Sequence, residues 1–109
     1  MVLTDTRGRT PALIFFRNGW TQGWGLMFRK PRDGVAYVFD FGREVNVGFH
    51  MLFVFWTIDV YFLDERKRVV DAKCSFRPFA AYRPRARFSY AIETKAGLLS
   101  LKKGDLVRF

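Results

Sequence analysis

The stretch Val45–Leu63 reads Val-Asn-Val-Gly-Phe-His-Met-Leu-Phe-Val-Phe-Trp-Thr-Ile-Asp-Val-Tyr-Phe-Leu and is mostly apolar. Asp59 is its only formally charged side chain, and His50 is the only histidine of the protein. A run of this length could span a membrane as a helix. The aspartate, Gly48 and the β-branched and aromatic composition favour strands instead. We predict two buried strands with a bend or bulge near Thr57: His50–Trp56 and Ile58–Leu63.

The segments on either side of this stretch also predict short strands. Apolar runs and alternation of period two indicate four of them, and the end of the chain a fifth: Pro11–Phe16, Val35–Phe41, Val69–Phe76, Phe88–Thr94 and Leu106–Phe109. Asp64–Arg68 is predicted to be the connection of a charged hairpin, Gln22–Phe28 a short helix, and Ala96–Lys103 a segment with one helical turn. The fold class is therefore mainly β, a single compact β-sandwich or small barrel with one or two short helical turns.

The charge of the chain is unevenly distributed. At 109 residues it is the size of one domain, which we place at residues 11–109 after a flexible N-terminus, 1–10. The formal net charge is +9, and residues 73–109 alone contain nine basic and two acidic side chains. Such an excess argues for an anionic partner, such as a nucleic acid, an acidic protein or anionic lipid.

Cysteine and histidine are too few for the common covalent and metal frameworks. Cys74 is the single cysteine, so an intrachain disulfide is excluded and a structural zinc site is not expected. No signal peptide or membrane span is predicted, and we expect a cytoplasmic protein without a cofactor. Alternation along Val69–Phe76 places Cys74 on the apolar side, which predicts a buried and unreactive thiol. The alternative is a Cys-His hydrolase that uses His50 as the base.

Asp59 is the most informative residue of the central stretch, because a buried carboxylate needs a cation, several hydrogen-bond donors or a proton. We predict that it is buried and paired with Arg29. The pair is either structural or part of a small-ligand or enzymatic pocket that also includes His50. His50 itself is either a hydrogen-bonded core residue or a group that titrates near neutral pH.

The stretch Phe76–Tyr90 interleaves arginines with aromatic side chains and contains no acid. It is either a solvated loop whose arginine stems cover aromatic surface, or a face that binds RNA or single-stranded DNA, or an acidic protein. In the binding interpretation the arginines contact phosphates and the rings stack on bases: Arg77, Arg83, Arg85 and Arg87 with Phe79, Tyr82 and Tyr90.

Several phrases together resemble an uncharacterised family, domain of unknown function 192, also called uncharacterised protein family 0127. The resemblance extends from Pro11 to the end of the chain and is carried by these phrases: Gly25–Arg29, Val35–Phe39, Phe49-His50-Met51, Ile58–Asp64, Glu93–Gly97 and Lys103–Phe109. His50 stands where the bacterial pattern has tryptophan, Leu52-Phe53-Val54 replace a polar Lys-Asn-Thr, and Thr57 stands where proline is usual. The chain is thus similar to an archaeal-type variant. The resemblance implies a compact, mainly β fold and no established activity.

Taken together, the sequence favours a small non-enzymatic binding module. No catalytic residue and no metal ligand are assigned. The two alternatives are nucleic-acid binding through the basic-aromatic stretch, and a pocket around Arg29, His50 and Asp59. Salt distinguishes them, because binding of a polyanion weakens steeply as salt rises, whereas a bound metabolite stabilises the fold with little dependence on salt.

Overall fold

A computed structural model of the protein describes residues 10–16, 32–46, 49–50, 56–77 and 81–109. This part of the chain is mainly β and contains no helix. It comprises seven strands: β1 (Ala12–Phe16), β2 (Val35–Val45), β3 (Phe49–His50), β4 (Ile58–Leu63), β5 (Val69–Phe76), β6 (Ala81–Tyr82) and β7 (Phe88–Lys95). The predicted helix over residues 22–28 lies outside the described residues. Strand β6 was not predicted, because the surrounding prolines and arginines indicate a loop.

Five of the strands form one mixed sheet in the order β1-β2-β7-β4-β5, with β7 at its centre. β1 runs parallel to β2, and the other neighbours are antiparallel. β3 and β6 form a separate antiparallel pair. The mainly β class is confirmed, and the described strands form an open sheet with β1 and β5 at its edges. The predicted last strand is reduced to one bridge, between Arg68 and Leu106.

Strand β4 explains why the central stretch is so apolar. All six of its residues are buried, including Asp59, because both faces of the sheet are covered there. Alternate side chains contribute to two hydrophobic clusters, one on each face. Face A contains the larger aromatic cluster, formed by Tyr37, Phe39, Val60, Phe62, Phe76 and Phe88. Face B contains Ala36, Val38, Tyr61, Leu63, Val69 and Ile92.

The segment Leu98–Phe109 packs on face B and completes its core. Leu99, Val107 and Phe109 of this segment are buried in the face B cluster. The Tyr61 hydroxyl donates to the Leu99 carbonyl at 2.9 Å, and Lys67 Nζ donates to the main-chain oxygen of Phe109 at 2.6 Å. The prediction of one helical turn within residues 96–103 is wrong. The chain turns at residues 96–97 and again at residues 103–104, where Leu98 N donates to the Lys95 carbonyl and Asp105 N to the Lys102 carbonyl. No helix lies between these turns.

Strand β5 contains a bulge that changes the orientation of two residues. Ile58 of β4 pairs with Phe76, but Val60 pairs with Lys73, so three steps of β5 oppose two of β4. Ser75 has a positive φ of 54° at this point. Cys74 and Ser75 are consequently exposed. The prediction of a buried Cys74 is therefore wrong, because it assumed uninterrupted alternation along the strand.

Candidate functional site

Asp59 is buried, with 4% of its surface exposed, which confirms that part of the prediction. Each carboxylate oxygen accepts one main-chain hydrogen bond: Oδ1 from Ser75 N at 2.7 Å and Oδ2 from Gly97 N at 2.9 Å. The carboxylate therefore connects the bulge of β5 to the turn that follows β7. Both donor residues have left-handed backbones, with φ of 54° at Ser75 and 84° at Gly97. Asp59 thus holds two irregular main-chain positions in place.

This arrangement assigns Asp59 a structural role. Each oxygen already accepts one main-chain hydrogen bond, so the carboxylate fixes the backbone at two points. Arg29 lies outside the described residues, and its pairing with Asp59 stays a prediction. His50 belongs to β3 by its backbone, and its side chain is likewise outside the described part. The predicted pocket is thus described only at its carboxylate.

Cys74 lies 4.0 Å from the Tyr61 hydroxyl, measured from Sγ to Oη. Desolvation and the nearby Asp59 charge raise the pKa of the Cys74 thiol above its ordinary value. Desolvation, Cys74 and Asp59 likewise raise the pKa of Tyr61. A nucleophilic cysteine needs a lowered pKa, so this environment disfavours a catalytic thiol. Among the described residues, no group of three or more His, Cys, Asp or Glu side chains could hold a metal ion.

Glu93 is an unusual carboxyl that the sequence analysis missed. It lies in the middle of β7, where its neighbours across the sheet are Tyr37 and Val60 of face A. No hydrogen bond or ion pair to Glu93 occurs within the described part of the chain. Desolvation raises the pKa of Glu93 to about 7. Its position in the sequence could have revealed it, because the period-two alternation of β7 places this acid on the same face as apolar side chains.

The candidate binding residues are found mainly in residues 83–87, here called the arginine loop. Arg83 donates from Nε to Asn46 Oδ1 and from Nη2 to the Asn46 carbonyl, both at 3.0 Å. The Arg85 amide donates to Asp71 Oδ2 at 2.9 Å. Arg83, Arg85 and Arg87 are exposed, and none of them forms an ion pair with a described acid. The loop is thus fixed at two points while its cations face solvent.

Asp71 is the acid that anchors this loop. Its Oδ2 also accepts the Tyr82 hydroxyl at 2.6 Å, and its Oδ1 accepts the Ala72 amide at 2.8 Å. Burial acts to raise the pKa of Asp71, but the hydrogen bonds from Tyr82, Arg85 and Ala72 outweigh it and lower that pKa below its usual value. The sequence suggested an uninterrupted basic stretch, whereas the fold brings this acid beneath it from β5.

The structure separates Arg77 from the arginine loop. Arg77 follows β5 at the sheet end where Ile58 and Lys95 pair. The Arg85 amide is instead bound by Asp71, which lies six positions before Arg77 in the chain. At the rise of an extended strand this separation is roughly 15–20 Å. The predicted cluster of four arginines therefore reduces to three, because strand direction carries Arg77 to the opposite end of the sheet.

The predicted aromatic residues also fail to form one surface. The Tyr82 ring stacks with Phe62 of face A at a centroid distance of 6.0 Å. The Tyr90 ring meets Phe109 on face B, edge to face, at 5.3 Å. These two tyrosines pack on opposite faces of the sheet and contribute to its cores. Phe79 lies outside the described residues.

In the described residues, no helix has both the length and the hydropathy to cross a membrane.

The chain is 40% identical over 88 residues to a UPF0127 protein of Pyrococcus horikoshii, covering 78% of this chain and 76% of that protein. A UPF0127 protein of Pyrococcus abyssi is 34% identical, with 81% and 77% covered.

Two solved structures have a similar fold. One is a protein of unknown function from Novosphingobium aromaticivorans, with a TM-score of 0.84 at 23% identity, covering 99% of this chain and 82% of that one. The other is a candidate transcription regulator from Sinorhizobium meliloti, with a TM-score of 0.76 at 24% identity and 98% and 89% covered. The model of the family DUF192, described as uncharacterized ACR, matches residues 2–109. The chain therefore belongs to the DUF192 family, as its sequence phrases predicted.

Proposed function

We propose that this protein is a small non-enzymatic binding module whose arginine loop contacts the phosphates of single-stranded nucleic acid. One observation supports this above the others. Three exposed arginines that form no ion pair with a described acid occupy a loop whose main chain is held by Asp71 and whose first side chain is held by Asn46. A loop whose main chain is already fixed loses less conformational entropy on binding than a mobile loop. Guanidinium groups also match phosphate oxygens in geometry.

The tyrosines favour contacts to the backbone of the nucleic acid over contacts to its bases. Tyr82 uses its hydroxyl on Asp71 and its ring on Phe62, and Tyr90 packs against Phe109. Neither ring is a free stacking platform. Binding should therefore be dominated by charge, weakly specific for sequence and strongly dependent on salt.

The competing pocket has weaker support, because the contacts described for Asp59 are the two main-chain hydrogen bonds that fix Ser75 and Gly97. An acidic protein would satisfy the same arginines by charge alone. The description of the Sinorhizobium meliloti structure as a candidate transcription regulator concerns that protein. A transcription regulator acts on nucleic acid, and this general kind of partner is all that the description shares with the proposal.

The proposal is tested by titrating a labelled single-stranded RNA at 50 and 200 mM salt. Arg85→Ala/Arg87→Ala removes two cations whose side chains donate no described hydrogen bond. Arg32→Ala/Arg77→Ala removes two exposed cations at the other end of the sheet and serves as the matched control. Each phosphate contact contributes roughly −0.7 to the slope of log affinity against log salt.

Loss of the two loop arginines should therefore make the slope shallower by about 1.4 and weaken binding at low salt, while the control keeps the wild-type slope. Equal binding by the loop variant and the wild type would refute the proposal. So would a loss of the same size in the control, because it would show that only net charge matters.

A further inference from the structure

Two basic segments that are distant in sequence are attached to neighbouring positions of β5. The amide of Gly104 donates to the Val69 carbonyl, and the amide of Val69 donates to the Asp105 carbonyl, both at 2.8 Å. The arginine loop is attached to Asp71 through the Arg85 amide. Val69 and Asp71 are two positions apart, so their Cα atoms lie at most about 7 Å apart. The turn before Asp105 and the arginine loop are therefore both attached to the same end of β5, at one corner of the sheet.

The connection between β4 and β5, residues 64–68, lies at the same corner. Arg68 is bridged to Leu106, and its Nη1 donates to the Gly104 carbonyl at 2.8 Å. β7 begins at this end as well, since Leu63 pairs with Tyr90. Arg87, immediately before β7, is therefore next to the β4–β5 connection. In an antiparallel sheet this places the two segments about one strand spacing apart, roughly 5 Å.

Two of the acids at this corner, Asp64 and Asp105, accept main-chain donors, and a third, Glu65, is exposed in the β4–β5 connection. Asp64 Oδ1 accepts the amides of Arg66 and Arg68 at 2.9 and 3.0 Å. Asp105 Oδ2 accepts the Lys102 amide at 2.8 Å. These carboxylates fix the two turns and form no ion pair with a described cation. The exposed side chains of Arg66, Lys102 and Lys103 consequently face solvent.

We propose that Arg66, Lys102 and Lys103 extend the arginine loop into one continuous surface, and that they contact phosphates of the same nucleic-acid strand. This inference rests on the proposed function and adds residues from two segments to it. The cations are distributed across the end of the sheet from the edge beyond β5 to β2, where Arg83 is bound to Asn46. β5 and β2 are three strand spacings apart, about 14 Å. A row of separated positive charges of this length suits the regular charges of a phosphodiester backbone.

The test uses three variants in the same RNA titration at two salt concentrations. Arg66→Ala/Lys102→Ala/Lys103→Ala, the turn variant, removes the added cations and keeps the main-chain hydrogen bonds of both turns. The second is the loop variant Arg85→Ala/Arg87→Ala, and the third is the control Arg32→Ala/Arg77→Ala. We expect the turn variant to lose about 2 units of salt slope, from three contacts of roughly 0.7 each, with at least a tenfold loss of affinity at low salt. Thermal unfolding of each variant shows that the fold is retained.

The outcomes separate the two claims. Weakened binding in the loop variant with wild-type binding in the turn variant would overturn this inference and leave the proposed function intact. Wild-type binding in both would overturn both. A labelled polyglutamate of equal charge serves as the alternative ligand. If it binds as tightly as the RNA and shows the same loss in the turn variant, an acidic protein replaces nucleic acid as the partner.

Discussion

Replacement of Asp59 by alanine should greatly reduce the stability of the protein. The change removes two hydrogen bonds from a charged acceptor, to the amides of Ser75 and Gly97. Hydrogen bonds to charged groups contribute roughly 1.5–3 kcal/mol each, so the expected loss is about 3–6 kcal/mol. A domain of this size has a total stability of only about 5–15 kcal/mol. Asp59→Ala should therefore unfold much of the population or shift its midpoint strongly.

The measurement is urea denaturation followed by tryptophan fluorescence, with the unfolding free energy extrapolated to zero denaturant. Asp59→Asn keeps one acceptor oxygen but places an NH₂ group against the other amide. It should lose less stability than alanine and remains measurable if the alanine variant does not fold. The control Asp33→Ala removes an exposed carboxylate that is ion-paired with Lys95 and should cost less than about 1 kcal/mol. An Asp59→Asn variant as stable as the control would refute the role assigned to this carboxylate.

Three further predictions concern Glu93, Cys74 and Lys67. Because burial raises the pKa of Glu93 to about 7, the folded protein binds a proton that the unfolded chain releases. The free energy of unfolding should thus fall by up to ~3 kcal/mol as pH rises from about 4.5 to about 7. Glu93→Gln should remove this pH dependence from the denaturation curves. Identical pH dependence in the two proteins would contradict the prediction. The exposed Cys74 should react with a thiol reagent in the native protein, but more slowly at neutral pH than a thiol of ordinary pKa, and a native thiol that never reacts would refute its exposure. Lys67→Met should cost about 1–2 kcal/mol in urea denaturation through lost contacts to Phe109, whereas Lys103→Met should not, and equal stability of the two variants would count against the Lys67 contact.

The strands were predictable where a local pattern determines them. β5 was predicted with its observed bounds, and Ile58–Leu63 was predicted as a buried strand, because apolar runs and period-two alternation are local properties. The burial of Asp59 followed from its isolation among apolar side chains. Its described donors did not follow, because they are amides exposed by a bulge and by a turn 38 residues away. No residue type marks either donor in the sequence.

The errors at Cys74 and Arg77 share a physical cause. Periodicity assigns a face to every residue only while the register is unbroken, and one extra residue in β5 is enough to expose Cys74. Clustering in sequence likewise implies clustering in space only until a strand intervenes. Arg77 and Arg85 are close in the chain but occupy opposite ends of the sheet, whereas Gly104 and Arg85 are both bound to the first residues of β5.

The position of the segment Leu98–Phe109 on face B has a consequence for the order of folding. This segment is the last part of the described core to be synthesised, yet it covers side chains from β4 and β7 such as Tyr61 and Ile92. The five strands can pair before this segment docks. A sheet on which the segment has not docked exposes the apolar side chains of face B, and such surfaces aggregate. Docking of Leu98–Phe109 should then protect the sheet against aggregation through face B.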